Sequence, residues 1–338
     1  LSGKKDDEVV NVTDLKAWIP KLAGMRIIVV GDVILDEYLT GRAMRMSREA
    51  PIPVLEFESR RLIGGGAANP AANIVTLGGA ALQVGVVGVD GEADALRQTL
   101  AARGIDVRGL IADAERPTTV KTRLMAQMGL RFPQQVARLD KLSREPIRAE
   151  IERQLCAFIE AEIEGVNALL FSDYDGGVIT KSLIEAVRGL GAGRWLTADA
   201  QGQFDKYAGF DVIKCNADDA RAYLRRDLRT DVDFAGAAHD LCAALHLGQG
   251  MVITRGGDGA TVCLPDGAVY QCPTPAITDV YDTVGAGDTS IAVLTQALAA
   301  GASLVEAAML ANIASGIVVR RVGNYAPTPE ELAAAIPA

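Results

Sequence analysis

The sequence predicts a three-layer α/β sandwich with a mainly parallel central sheet and a small antiparallel β lid. Short, β-branched apolar runs recur along the chain: RIIVVGD from Arg26, then residues 82–88, 167–172, 194–199, 211–216 and 251–255. Helical patterns separate most of them, which is the grammar of α/β folds. The runs are continuously apolar rather than alternating, as strands covered by helices on both faces require. Residues 37–60 and 116–140 break that rhythm. There PIPVLEFES, TTVKTRLMAQM and QQVARLD read as strands with no helix between them, and a sheet standing off the main body suits a lid over a ligand.

At 338 residues, 49% hydrophobic and 23% charged, the chain can bury a large core without disulfides or metals. No Pro/Ser-rich linker or internal repeat divides it, so one domain is expected over 26–338, after a leader at 1–25. In that leader, DLKAWIPKL (14–22) reads as a short amphipathic helix that Pro20 ends or kinks. A net charge of −9 and a pI near 4.9 argue against a nucleic-acid partner, which would call for a basic face. No run approaches the ~20 apolar residues of a membrane span, and the start has no signal-peptide stretch. No membrane partner and a cytoplasmic location are therefore expected. The five cysteines form no CxxC pair. Cys263 and Cys272 flank an Asp266-Gly267 hairpin signal, but a two-residue turn puts Tyr270 opposite Cys263. His239 and His246 sit in a helical stretch that reads as ordinary packing, which leaves no histidine-based zinc or triad site.

In parallel sheets ligands collect at the carboxyl ends of strands, so the polar residues that end the runs come first. The most informative segment is Asp282-Thr283-Val284-Gly285-Ala286-Gly287-Asp288, which leads straight into the helical stretch TSIAVLTQALAAG. Glycines before a helix let backbone N–H groups and the helix N-terminus hold an anion. An aspartate there can take a proton from an attacking hydroxyl, or it can merely cap the helix. Gly64-Gly65-Gly66-Ala67-Ala68-Asn69 admits a ligand close to backbone and offers an amide for hydroxyls. Asp32 and Asp36 follow the first strand and could grip a polyol or serve as turn residues. Thr254-Arg255-Gly256-Gly257-Asp258-Gly259 is a glycine-rich loop for a nucleotide, or a hairpin turn. Asn216-Ala217-Asp218-Asp219 offers an amide and carboxylates to hydrated Mg²⁺, or is an acidic helix start.

These five segments, in this order, resemble the PfkB (ribokinase-like) family of carbohydrate kinases, from Arg26 to about Leu332. The resemblance implies a ribokinase-like fold and an ATP- and Mg²⁺-dependent transfer to a sugar hydroxyl, and it leaves room for a monovalent cation. It assigns Asp288 as catalytic base and Gly285, Ala286 and Gly287 as the anion hole. Gly65, Gly66 and Asn69, with Asp32 and Asp36, would contact the sugar. Thr254, Gly256, Gly259, Asn216 and Asn312 would line the ATP site, and Asp219 would serve the metal. A kinase for another sugar or nucleoside, or a non-catalytic sensor on the same fold, are the alternatives.

Within the family, Met44-Arg45-Met46-Ser47-Arg48-Glu49-Ala50-Pro51-Ile52-Pro53-Val54 is similar to the heptose 7-phosphate kinases, as are Ser172-Asp173-Tyr174 and Arg138-Leu139-Asp140. That kinship implies transfer to O1 of D-glycero-D-manno-heptose 7-phosphate, with Asp173 near the sugar. Lys121, Arg123 and Arg138 are the cationic candidates for its phosphate. Val284 stands where the family usually has threonine, Asp219 where it has glutamate, and Gln201 where heptose kinases tend to carry lysine. No H-x-G-H segment of cytidylyltransferase type occurs, so no fused adenylyltransferase half is expected. Exposed lid strands can pair with a second copy, so the expected assembly is a homodimer through the lid.

Overall fold

The apolar runs pair as expected in a computed structural model that describes residues 12–128, 133–275 and 279–337. The start of the leader (1–11) and four residues of the second lid segment (129–132) lie outside the described residues. In chain order the strands are β1 (Arg26–Gly31), β2 (Val33–Met46), β3 (Pro53–Gly66), β4 (Ala80–Val87), β5 (Asp106–Ala112), β6 (Val120–Gln127) and β7 (Gln134–Lys141). They continue with β8 (Ala168–Asp173), β9 (Trp195–Ala200), β10 (Val212–Asn216), β11 (Gly250–Thr254), β12 (Ala260–Cys263) and β13 (Val269–Cys272). The helices are α1 (Ile19–Leu22), α2 (Ala68–Thr76), α3 (Gly91–Ala101), α4 (Ala149–Glu162), α5 (Lys181–Leu190), α6 (Ala217–Leu224), α7 (Asp231–Ala244), α8 (Ala286–Ala299), α9 (Leu304–Val318) and α10 (Pro329–Ala335).

The large sheet runs β13-β12-β11-β10-β9-β8-β1-β4-β5. Its pairs from β11 to β5 are all parallel, and β12 and β13 close one edge antiparallel. Helices α2, α8 and α9 pack on one face around Val29, Leu170 and Val212. Helices α4, α5 and α7 pack on the other around Val30, Phe171 and Ile213. The two faces alternate residue by residue, as the pleat demands.

The smaller sheet has the order β3-β2-β6-β7. Its outer pairs, β2–β3 and β6–β7, are antiparallel, while the central β2–β6 pair is parallel. The two hairpin-like pairs come from distant parts of the chain, and nothing obliges their inner strands to run in opposite directions.

Three local expectations are corrected. Within the leader, Leu15, Ile19 and Leu22 join the main core, and Trp18 Nε1 donates to Glu306 Oε1 at 3.1 Å. Pro20 does not end a helix but stands in the first turn of α1, after a 3₁₀ stretch Val12–Trp18, where its missing N–H costs nothing. The β12–β13 turn pairs Cys263 with Val269 rather than Tyr270, because Leu264 N–H already reaches the Ala268 carbonyl. Cys263 and Cys272 are both free thiols. His246 lies beyond the end of α7 with φ +50°, and both histidines are exposed.

Candidate active site

The carboxyl ends of β1, β8, β9 and β10 converge below the N-terminus of α8. Gly285, with φ +83°, is the N-cap of that helix, and Asp288 falls in its first turn. Asp288 is buried, yet its carboxylate does not bond its own helix, so it is not a cap. Oδ1 accepts from the Tyr174 hydroxyl at 2.5 Å and Oδ2 from Asn69 Nδ2 at 2.9 Å. Burial pushes its pKa up to about 6, and the Asp199 charge adds to this, while the bonds from Tyr174 and Asn69 and the nearby Lys214 pull the other way. A carboxylate poised near neutral pH suits a general base.

Asn69 is itself held by Asn73, whose Nδ2 reaches the Asn69 carbonyl at 2.9 Å and Oδ1 at 3.3 Å. Thr289 closes this chain by donating to Asn73 Oδ1 at 3.0 Å. The loop before α8 is fixed by Asp282, which accepts from Val284 N–H at 3.0 Å and Gly323 N–H at 2.9 Å. Val284 thus enters this loop through its backbone. Of the residues expected to form the anion hole, Ala286 turns its N–H back to the Thr283 carbonyl at 3.3 Å, Gly285 packs against Asn69, and Gly287 stands beside Lys214.

On the side of α8 away from the lid lies a cleft of about 580 Å³, lined by Thr254, Gly256, Gly259, Asn312 and Gly287 together with the apolar Val280 and Val319. Gly256 (φ +61°) has nothing within 4 Å of where a Cβ would stand, so the space above it is open cleft. Gly259 is required for a different reason, because a Cβ there would come 2.1 Å from the Cys272 carbonyl. Asn312 donates to that same carbonyl at 2.7 Å, and Thr254 to the Cys215 carbonyl at 3.2 Å. Backbone-lined, with apolar walls and an anion-binding helix start at one end, the cleft has the chemistry of a nucleotide site.

On the lid side, Gly65 leaves room for Asp36, whose Oδ2 would lie 2.1 Å from a Cβ, and Gly66 adopts φ +55° against the Asp32 carbonyl. Asp36 is buried and paired with Arg123 at 2.5 Å, and it accepts from Asn324 Nδ2 at 3.0 Å. Lys121 lies over the Tyr174 ring, 5.4 Å from its centroid. Its burial lowers its pKa, against the charges of Asp36 and Asp140 opposite it on β2 and β7, and among the described residues it makes no ion pair. Arg138 is directly opposite Arg123 in the β6–β7 register, but half exposed and forked onto Asp140 at 2.8 and 2.9 Å.

Two proposed sugar ligands are committed elsewhere. Asp32 accepts from the backbone N–H groups of Tyr174, Gly176 and Val178 at 2.9, 3.0 and 3.3 Å and so anchors the loop after β8. Asp173 has the parity of Phe171, which packs in the α4/α5/α7 layer. There it is taken by Tyr207, Lys206 and the Asp175 N–H, and it lines a separate cavity of about 500 Å³. Asn216 caps α6, its Oδ1 accepting from Asp219 N–H at 2.8 Å. Asp219 is half-buried, its pKa raised by burial and by Asp199. Gln201 is exposed.

Sequence reasoning missed Tyr174, Asn324 and Lys214. Lys214 was visible as a lone lysine inside the apolar run DVIKCN, an anomaly in a buried strand. Tyr174 stood inside the segment Ser172-Asp173-Tyr174, where only strand parity separates it from Asp173. No local signal marks Asn324.

The Tyr174 bond carries a prediction. It stabilises the Asp288 carboxylate, so Tyr174→Phe should move the Asp288 pKa above its value of about 6. The acid limb of the pH profile of kcat/KM should shift upward, with the rate at neutral pH falling more than the rate at pH 8. An unshifted limb would separate Tyr174 from the base.

A buried carboxylate at a helix start, with a backbone-lined cleft on one side and the small sheet on the other, has the make-up of a phosphotransferase site acting on an alcohol. The sequence pattern of the pfkB family carbohydrate kinases matches residues 26–331. The chain belongs to that family and is an ATP-dependent carbohydrate kinase. It is 37% identical over 328 residues to the bifunctional protein HldE of Geotalea uraniireducens (strain Rf4), covering 96% of this chain and 65% of that protein. It is 35% identical over 311 residues to the bifunctional protein HldE of Helicobacter pylori (strain ATCC 700392 / 26695), covering 91% and 66%. The chain thus spans about two thirds of the length of these relatives. The fold is similar to phosphofructokinase-2 from Escherichia coli in complex with substrates and products (TM-score 0.75, 19% identity, 93% and 99% of the two chains). It is also similar to Arabidopsis thaliana ribokinase complexed with ribose and ATP (TM-score 0.70, 18% identity, 93% and 99%).

Proposed function

We propose that this kinase transfers the γ-phosphoryl group of ATP to O1 of D-glycero-D-manno-heptose 7-phosphate. The observation that carries the acceptor is Lys121: a half-buried ammonium on the lid, over the ring of Tyr174, that makes no ion pair among the described residues, Asp36 and Asp140 acting on it only from a distance. A desolvated cation without a partner is favourably matched by a phosphate dianion. The likeness to the HldE proteins and the Ser47 to Val54 segment support the same acceptor.

Asp288 takes the proton of the attacking hydroxyl, Asn69 and Tyr174 orient the carboxylate, and the start of α8 holds the γ-phosphoryl oxygens. Among the described residues no cluster of three or more metal-ligating side chains exists. That fits Mg²⁺, which is held by one or two carboxylates together with substrate phosphates. Asp219 and Asp199 would hold it through its waters, and its bound charge would offset that of the triphosphate. Two subunits pairing through the lid edges remain part of this proposal.

A second reading, an unphosphorylated acceptor, draws on the pairing of Arg123 with Asp36 and of Arg138 with Asp140, which leaves Lys121 alone of the three without an ion pair among the described residues. A panel of heptose 7-phosphate, the free heptose and other sugars separates the two by kcat/KM. For Lys121→Met, KM for heptose 7-phosphate should rise by roughly 10- to 100-fold, the worth of one charge-assisted hydrogen bond, with KM for ATP nearly unchanged. A wild-type preference for the free sugar would overturn the acceptor assignment and leave the kinase class untouched.

A further inference from the structure

We infer that Lys214 is a catalytic residue whose ammonium group binds the γ-phosphoryl group of ATP and neutralises the charge that develops as it transfers. The inference rests on the kinase class of the chain and not on the identity of its sugar.

Lys214 is on β10, directly opposite Asp199 in the β9–β10 register, and Asp199 is in turn opposite Ser172 of β8. Thr197, two residues before Asp199, bonds Thr295 of α8 at 2.7 Å, so this row of side chains faces α8. The lysine is 3% exposed. Its Nζ donates to Asp199 Oδ2 at 2.7 Å and, at 3.4 Å, to the carbonyl of Gly287. Among the described residues no third acceptor is in reach, although an ammonium has three N–H donors. A Cβ on Gly287 would stand 3.1 Å from this Nζ, and Gly287 lines the nucleotide cleft. The head group thus stands at the seam between the cleft and Asp288, whose charge it stabilises.

That seam is where the transferring group must pass. The acceptor oxygen forms its bond to Pγ, the bond from Pγ to the β,γ-bridging oxygen breaks, and ADP leaves with that electron pair while the acceptor proton goes to Asp288. A fixed cation in a site sheltered from water acts on this charge far more strongly than in solvent. A lysine needed only to balance Asp199 would not have to approach the helix start, and it could be removed together with its partner.

The test uses that difference. Lys214→Met, Asp199→Asn and the double variant are compared for kcat, for ADP affinity, and for affinity toward ADP with aluminium fluoride and the acceptor. The double variant leaves no lone buried charge, so it keeps the fold even where Lys214→Met alone is destabilised, and thermal melting checks this. The double variant should be slower than Asp199→Asn by about 10²- to 10³-fold, the usual loss for one transition-state donor. Its affinity for the aluminium fluoride complex should fall by a similar factor, with ADP affinity nearly constant. A double variant as fast as Asp199→Asn would show that Lys214 is only the counter-ion of Asp199, and so would unchanged binding of the aluminium fluoride complex.

Discussion

Asp288→Asn is expected to lower kcat by about 10²- to 10⁴-fold, the range for loss of a general base, while ATP affinity stays close to that of the unaltered protein. The substitution keeps the shape of the side chain and removes its ability to take a proton. It also presents an NH₂ to one of two donors, Tyr174 Oη–H or Asn69 Nδ2. Tyr174 can absorb this by rotating its hydroxyl. Asn69 cannot easily reverse its amide, because its Oδ1 receives Asn73 Nδ2. The carbonyl of the new side chain should therefore settle toward Asn69, and the cleft on the other side of α8 should be undisturbed. ADP formation at saturating ATP and sugar measures the loss, and calorimetric titration with ATP measures the retained affinity. A kcat within about tenfold of wild type would remove Asp288 from the role of base.

Much of the site lay open in the sequence because glycine patterns are read through backbone geometry, which is local. The segment Gly285 to Asp288 before a helix, the run at Gly65-Gly66 and the loop at Gly256 to Gly259 all fall where the chain needs positive φ or close approach. The large sheet was legible for a similar reason, since each buried strand announces itself by its own apolar run. Side-chain commitments were not legible in this way. Asp32, Asp173 and Asn216 are acidic or amide residues at strand ends; the first two are bonded by residues distant in the chain, whereas the helix start at Asn216 was one of the two readings its own segment offered. Asp32 meets the loop at 174–178, Asp173 meets Lys206 and Tyr207, and Asn216 meets the first turn of its own helix. Asp173 differs from Tyr174 by one residue of strand parity, which sends it to the far face of the sheet while Tyr174 reaches Asp288. The parallel β2–β6 pair was illegible for the same reason, because it joins hairpins far apart in sequence.

The glycine at the start of α8 offers the sharpest test of how tightly the base is positioned. Gly285→Ala should reduce kcat by about 10²- to 10³-fold, comparable to the loss of an anion-hole donor. Two effects combine. Alanine at φ +83° costs roughly 1–2 kcal/mol of left-handed strain. Its methyl would also stand 2.7 Å from Asn69 Nδ2 and 3.1 Å from Asn324 Oδ1. Those atoms are ends of side chains, but neither is free to yield. Asn69 is tied to Asp288 and Asn73, and Asn324 to Asp36 and the Gly64 carbonyl. Pushing Asn69 aside lengthens its bond to the base, and relieving the strain by moving Gly285 displaces the helix start itself. The two effects are separated by Gly193→Ala, a position with φ +78° and nothing within 4 Å of the new methyl. Both variants should lower the melting temperature by a few degrees at most, about what strain of this size produces in a large domain. Only Gly285→Ala should lose catalysis. If the two variants are equally active, the methyl is accommodated, and the packing of Gly285 against Asn69 does not position the base.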